Sequence, residues 1–113
     1  MLDQVAPTKA DVAREAGIDF PSSTSGFRLV RISGNQIDVT FQIPVTAIGE
    51  FAKGSNLTLT DGERAITHAS PLWDVAVTGA LAGGSSKHRS VNRAVEVVPD
   101  GDTATVRLTV TKV

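Results

Sequence analysis

Hydrophobic and polar residues alternate most regularly between positions 37 and 43. Ile37, Val39, Phe41 and Ile43 are apolar, and the residues between them are polar. Successive side chains of a strand point to opposite faces of the sheet, so this pattern predicts a strand with one buried face. We expect these four side chains to form the centre of the core.

A hairpin is predicted to join this strand to the apolar residues before it. The dipeptide Gly34-Asn35 tolerates positive φ and therefore favours a two-residue turn. That turn places Ile32 opposite Ile37 on the buried face. On the other face it places Arg31 opposite Asp38, as a cross-strand ion pair.

In this register Phe27 and Leu29 lie on the face of the hairpin that points away from the core. Either another segment covers them or they form an apolar patch for a partner. Residues 18–20 and the stretch around Trp73 are the candidate covers. We favour coverage, and we retain Phe27 and Leu29 as candidate binding residues.

A short helix is predicted directly after the alternating strand. Pro44 ends the ladder because it has no N–H to donate, and apolar residues then follow at helical spacing over residues 45–53. Gly54 is placed to end this helix in a left-handed conformation. Ile48 and Phe51 are expected to pack on the buried face of the strand.

Another short helix is predicted near the N-terminus. Residues 1–7 have no periodicity and are expected to be disordered or foreign to the natural protein. Thr8 and Asp11 have the spacing of a capping box, and Gly17 is placed to end the helix.

The segment Asp11–Gly17 resembles the first helix of the lactose-repressor type of helix-turn-helix. That family requires a recognition helix directly after the turn. Pro21 and Gly26 oppose such a helix, and no Lys or Arg between Ile18 and Arg28 could hold phosphates. We therefore treat DNA binding through residues 11–17 as the least favoured alternative.

The remainder of the chain predicts more sheet. Residues 57–60 form a short strand that pairs with residues 65–68, residues 71–77 fit a strand or an irregular segment, and residues 78–90 have the composition of a mobile loop. A second hairpin turns at Asp100-Gly101 and pairs Val97 with Ala104 and Val95 with Val106. Arg93 then lies at the sheet margin or points outward.

These elements predict an α+β fold for residues 8–113 as a single domain: an antiparallel sheet of β-hairpins, one short helix packed on one face, and a small N-terminal helix. The chain has 113 residues, enough for a core without disulfides or metals. Its net charge of -1 gives no general attraction to nucleic acid, and the absence of cysteine excludes disulfides and thiolate sites. We expect no cofactor.

Candidate chemistry is sparse. The two histidines, His68 and His88, have no second ligand at metal spacing. A hydrolase-like site assembled from distant groups such as His68, Asp74 and Ser85 remains an alternative. A basic cluster near the end of the predicted loop could contact an anion or an acidic partner. Its members are Lys87, His88, Arg89 and Arg93.

The segments Gly17–Ser23 and Gln36–Pro44, followed by Phe51 and Trp73, resemble a group of small actinobacterial lipoproteins and secreted proteins of unknown function. The resemblance implies an exported domain, secreted or anchored to the membrane by a lipidated cysteine that this sequence lacks. It implies no catalytic residue.

The sequence predicts a non-enzymatic binding domain, and the resemblance implies that it lies outside the cytoplasm, in the cell envelope. Its partner is expected to be a protein or a small molecule outside the cytoplasm, with no nucleic acid, and with membrane contact only through a lipid anchor. The absence of converging reactive groups is the basis of this hypothesis.

Overall fold

The computed structural model describes residues 8–73 and 81–112, which form one six-stranded antiparallel sheet with two short helices. This agrees with the predicted α+β class. The α-helices are α1 (Lys9–Ala16) and α2 (Ile48–Gly54), and a 3₁₀ helix (Val45–Ala47) directly precedes α2. The strands are β1 (Ser25–Ser33), β2 (Gln36–Pro44), β3 (Thr60–Asp61), β4 (Ala82–His88), β5 (Val91–Asp100) and β6 (Thr103–Lys112). The strand order is β1-β2-β6-β5-β4-β3.

The core lies on one face of the sheet, beneath both helices. Phe41 and Phe51 are fully buried, and their rings meet edge to face with centroids 5.7 Å apart. The predicted packing of the second helix on the alternating strand is thus confirmed. The other buried apolar strand residues on this face are aliphatic: Val39, Ile43, Val91, Val95, Val97, Ala104, Val106, Leu108 and Val110.

All four phenylalanines form one chain of ring contacts. Phe20 lies between Phe27 and Phe41, with ring centroids 5.8 Å and 4.9 Å away, respectively. Phe20 follows α1 directly and contributes its ring to the core layer. The chain of rings therefore fastens the connection between α1 and β1 to the centre of the core.

The first hairpin has its predicted turn but not its predicted register. Ser33 pairs with Gln36 around the two-residue turn, but Arg31 pairs with Ile37, so Ile32 is an extra residue in β1. Such a bulge shifts every preceding residue by one position and moves it to the other face. The predicted pairs Ile32 with Ile37 and Arg31 with Asp38 are therefore wrong, and Ile32 is 41% exposed.

The second hairpin has the predicted faces but a register shifted by two residues. Asp100 pairs with Thr103, so the turn contains residues 101 and 102, and Val97 pairs with Val106 instead of Ala104. A shift of two residues preserves the face of every side chain. Gly101, with φ of 66°, supplies the left-handed position in this turn.

The predicted mobile loop over residues 78–90 is largely a strand. Residues 82–88 form β4, which pairs with β5 along its whole length. Two adjacent glycines in β4 allow other backbone segments to approach: a Cβ on Gly84 would overlap the carbonyl oxygen of Thr58, and one on Gly83 would overlap that of Glu63. These contacts lie on opposite faces because adjacent residues of a strand face opposite ways.

The chain therefore passes around the β4 edge of the sheet between residues 58 and 63, pairing with β4 as β3 on the way. It then crosses the second face as a segment without regular structure, residues 63–73, which we call the covering segment. The predicted pairing of residues 57–60 with 65–68 is wrong. Residues 74–80, which include most of the ambiguous stretch 71–77, lie outside the described part.

Helix α1 has the predicted capping box and ends at Gly17, whose φ is 66°. The backbone N–H of Thr8 and the side chain of Arg14 lower the pKa of Asp11, so the carboxylate of the capping box remains ionised. Gly54 does not take the predicted left-handed conformation. A Cβ there would instead overlap the carboxylate of Asp19. Neither described helix is long enough to cross a membrane.

Candidate functional site

Phe27 and Leu29, the first candidate binding residues, face the core instead of the opposite side of the sheet. Leu29 pairs with the buried Val39, and both Phe27 and Leu29 are half-buried against the core cluster. Phe20 covers Phe27, but it does so on the core face and not on the far face for which coverage by residues 18–20 was predicted. The bulge at Ile32 explains the change of face.

The basic cluster is divided by the structure into an exposed part and a buried part. Lys87 and Arg89 are exposed at the tip of the β4-β5 hairpin, where Arg89 takes a left-handed conformation with φ of 56°. His88 is half-buried against α1, because a Cβ on Gly17 would lie 2.7 Å from the His88 ring. Arg93 is only 1% exposed.

Arg93 projects from β5 into the core layer, where five oxygen atoms surround its guanidinium group. Nη1 donates to the carbonyl oxygens of Ala16 (3.0 Å), Gly17 (3.2 Å) and Ser55 (2.7 Å). Nη2 donates to the carbonyl of Asn56 (3.4 Å) and to Oγ of Ser86 (2.7 Å). The four carbonyls belong to the C-terminal ends of α1 and α2.

No carboxylate lies among these ligands of Arg93, although the charge is buried. Carbonyls at a helix C-terminus carry a partial negative charge, up to about half a unit per helix, and lack partners within the helix. The guanidinium of Arg93 donates hydrogen bonds to the carbonyls at the C-terminal ends of both helices. Burial lowers the pKa of Arg93, but the five oxygens favour its charged form. Arg93 therefore joins α1, α2 and the sheet, and has no surface with which to bind a partner.

The second face of the sheet contains two fully buried carboxylates, Asp38 and Glu96. Asp38 Oδ1 accepts a hydrogen bond from Thr109 Oγ1 at 2.9 Å, and its Oδ2 lies 3.1 Å from Nε2 of His68. The His68 side chain is 38% exposed, its ring packs beside Trp73, and its carbonyl accepts from the Trp73 indole at 3.1 Å. Asp38 thus fixes the far end of the covering segment.

Glu96 holds the near end of the same segment. Its Oε2 accepts from Nε of Arg64 at 3.0 Å and from the backbone N–H of Ile66 at 2.9 Å. Arg107 approaches the other oxygen at 3.9 Å from the neighbouring strand. Two buried acids and one buried cation therefore fasten the non-sheet segments to the two faces of the sheet.

The structure contains only part of the arrangement that the hydrolase-like alternative requires. His68 reaches a carboxylate, Asp38, but the hydroxyl of Thr109 donates to that same carboxylate and not to the imidazole. Ser85 lies on the second face three strands from Asp38, through the pairs with Ala94 and Thr109, which is about 14 Å away. Asp74 lies outside the described residues. The groups that do meet, Asp38, His68 and Thr109, hold the covering segment on the sheet.

The described residues also do not form the arrangements that metal binding or DNA binding would require. Within residues 8–73 and 81–112, no group of three or more His, Cys, Asp or Glu side chains could hold a metal ion. Residues 17–24, where a recognition helix would have to follow α1, contain no helix. Ile18 is buried there and Phe20 enters the core layer.

Strand β1 leaves one edge of the sheet open in the described part of the chain. Its regular run is residues 28–31, bounded by irregularities on both sides. Arg28 and Arg31 are exposed, on opposite faces, and β1 has no acidic residue. Unpaired backbone N–H and C=O groups at such an edge can pair with another strand.

The structural roles of three buried charged residues, Asp38, Glu96 and Arg93, were not predicted from the sequence. Asp38 and Glu96 occupy polar positions of amphipathic strands, and such positions normally face solvent. Burial of Arg93 could have been inferred from the sequence, because Arg93 occupies one of the alternating positions of β5 that are otherwise apolar. A charge at such a position is tolerated only with partners from elsewhere in the chain.

Neither the family models, nor the curated proteins, nor the solved structures gave a match to this chain. The resemblance to actinobacterial lipoproteins therefore stays a prediction.

Proposed function

We propose that this protein is a non-enzymatic extracytoplasmic interaction domain that binds an extended, acidic segment of a partner protein along β1. The observation that carries the proposal is the open edge of β1, with two exposed arginines and no acid. In strand addition the backbone of the edge supplies hydrogen bonds, and neighbouring side chains select the partner.

The side chains along the regular run define the expected partner. Arg28, Leu29, Val30 and Arg31 form a basic-apolar-apolar-basic sequence, with the two charges on opposite faces. Opposite charges in directly opposed positions stabilise a strand pair by roughly 0.2 to 1 kcal/mol each. The complementary partner is therefore an extended segment with two acidic residues three positions apart and two apolar residues between them.

Pairing of β1 with a second copy of itself is disfavoured by the same charges. Edge-to-edge antiparallel pairing opposes residues that lie on the same face, so Arg28 and Arg31 would not be directly opposed, but the two joined strands would hold four arginines and no acidic residue. Like charges this close together repel one another. The arginines therefore favour an acidic partner over self-association.

A synthetic peptide with a Glu-Val-Val-Glu centre, titrated by calorimetry, tests the proposal. We expect saturable binding, a loss of at least about tenfold (about 1.4 kcal/mol) in the double variant Arg28→Glu/Arg31→Glu, and recovery when that variant meets a Lys-Val-Val-Lys peptide. The matched control is Lys87→Glu/Arg89→Glu, which alters two other exposed cations, at the β4-β5 hairpin tip, and should leave binding unchanged.

Backbone pairing is tested separately with N-methylated peptides. Alternate amides of an added strand point toward and away from the sheet, so methylation of one alternate series should abolish binding and methylation of the other should not. Equal effects of both series, or equal losses in the control variant, would show that the contact is a general electrostatic attraction. Circular dichroism of each variant verifies that the fold is retained.

The extracytoplasmic location is supported by the resemblance of residues 17–23 and 36–44 to exported lipoproteins and secreted proteins. Fractionation of the native organism with an antibody against this domain tests it. The protein is expected in the membrane or secreted fraction, and recovery with cytoplasmic markers would contradict this part of the proposal.

A further inference from the structure

A small cavity lies between α1 and the end of the sheet nearest the β1-β2 turn. Its volume is about 60 Å³, roughly twice the share of one water molecule in liquid water. Its floor is aliphatic, and polar side chains surround its mouth. The floor residues are Val12, Ala16, Ile37, Val91 and Val110, and the rim residues are Asp11, Glu15, Arg31, Asn35 and Lys112.

Some of the charged side chains on the rim form ion pairs, and one does not within the described residues. Asp11 lies 2.8 Å from Arg14, and Glu15 lies 3.8 Å from Lys112. Arg31 is exposed and makes no ion pair with any residue in the described ranges. The guanidinium of Arg31 is therefore the charge on the rim that is left for a ligand, and it presents paired donors suited to a carboxylate.

We infer that this cavity binds a small branched aliphatic carboxylate, with its alkyl group on the valine and isoleucine floor and its carboxylate on Arg31. The volume suits a small branched alkyl group and excludes an aromatic ring, whose host cavities are about 150 Å³. The site shares Arg31 with the proposed strand-addition surface, but Arg28 does not line the cavity, so a change of Arg28 distinguishes the two proposals.

Titration of ¹⁵N-labelled protein with 3-methylbutanoate, followed by NMR, tests the inference. Saturable shifts are expected at the amides of Val12, Ile37 and Val110, with affinity at least about tenfold weaker for the neutral analogue 3-methylbutanamide. Arg31→Gln should reduce the affinity for the acid at least about tenfold and leave that for the amide unchanged. Arg28→Gln, the matched change on the other face of β1, should leave both unchanged.

A second variant tests the cavity itself. Ile37→Phe fills the floor from a half-buried position and should abolish binding, with thermal melting as the check on folding. Equal affinity for acid and amide, equal losses in Arg28→Gln and Arg31→Gln, or unchanged binding in Ile37→Phe would each overturn the inference. So would shifts that do not saturate.

The source of the aliphatic carboxylate is identified by a further comparison. A short peptide ending in valine with a free carboxylate presents the same chemistry as the free acid. Tighter binding of this peptide than of 3-methylbutanoate, lost on C-terminal amidation, identifies the end of a partner chain. Weaker binding identifies a free acid, and either result supports the chemistry of the site.

Discussion

At the scale of single residues, the structure depends on buried charges that meet groups from distant parts of the sequence. Arg93 is bound by neutral oxygens at two helix ends, and Asp38 and Glu96 are bound by donors from the covering segment and neighbouring strands. A buried charge without such partners costs several kcal/mol. Each of the three therefore fixes one arrangement of the segments around it.

Replacement of Arg93 is predicted to be strongly destabilising. Arg93→Met leaves buried carbonyls at the ends of α1 and α2 without a donor, so the free energy of unfolding should fall by about 3 kcal/mol. Arg93→Lys should recover part of this loss, because an ammonium group donates to fewer of the five oxygens. Urea denaturation measures both.

Lys87→Ala is the control for Arg93, since Lys87 is an exposed cation on the adjacent strand, and it should change the stability by less than about 0.5 kcal/mol. If Arg93→Met were as stable as the wild type, the helix ends would not depend on this guanidinium.

At the scale of elements, glycine in β4 has a role that composition does not show. Glycine-rich sequence is typical of loops, yet Gly83 and Gly84 are buried within a paired strand. They lack side chains where the backbone near Thr58 and Glu63 passes close to both faces. The path of the chain from one face to the other therefore depends on these two positions.

Gly84→Ala is predicted to destabilise the protein by at least about 2 kcal/mol, because the new methyl group would overlap the backbone of Thr58. Gly49→Ala is the opposite case. It lies within α2 with open space around it, so alanine should stabilise the protein by about 0.5 to 1 kcal/mol through helix propensity. Thermal unfolding of both variants should show shifts of opposite sign, and a neutral Gly84→Ala would contradict the close approach.

At the scale of the whole molecule, the sheet is covered differently on its two faces. One face packs aliphatic and aromatic side chains under the helices, whereas the other holds the covering segment through buried carboxylates and through the buried side chains of Ile66 and Trp73. An irregular segment has no continuous ladder of backbone hydrogen bonds to resist local opening. The carboxylates of Asp38 and Glu96 therefore control how firmly residues 63–73 lie on the sheet.

Glu96→Ala is predicted to loosen the covering segment without unfolding the core. The Ile66 amide loses its acceptor, so its hydrogen exchange should accelerate at least about tenfold, equivalent to about 1.4 kcal/mol. The amides of Val95 and Leu108 in the central strands should keep their protection. Glu50→Ala, an exposed acid on α2, is the control and should change neither. Equal acceleration at all sites would indicate global destabilisation instead.

The sequence by itself determined those features that depend on neighbouring residues. The alternation through Phe41 defined β2 and its buried face, the Thr8 capping box and Gly17 defined α1, and the Gly34-Asn35 turn placed the first hairpin. In each, the local backbone preference and the burial pattern agree, so no distant contact had to be known.

Only the tertiary structure decided the register of β1, the strand identity of β4 and the positions of the buried charges. Ile32 bulges and moves Phe27 and Leu29 to the core face, where Phe20 packs on Phe27. Arg93 is buried because two helix ends, each remote in sequence, converge on it. The free energy of such a charge is set by partners that only folding brings near, and no local pattern specifies them.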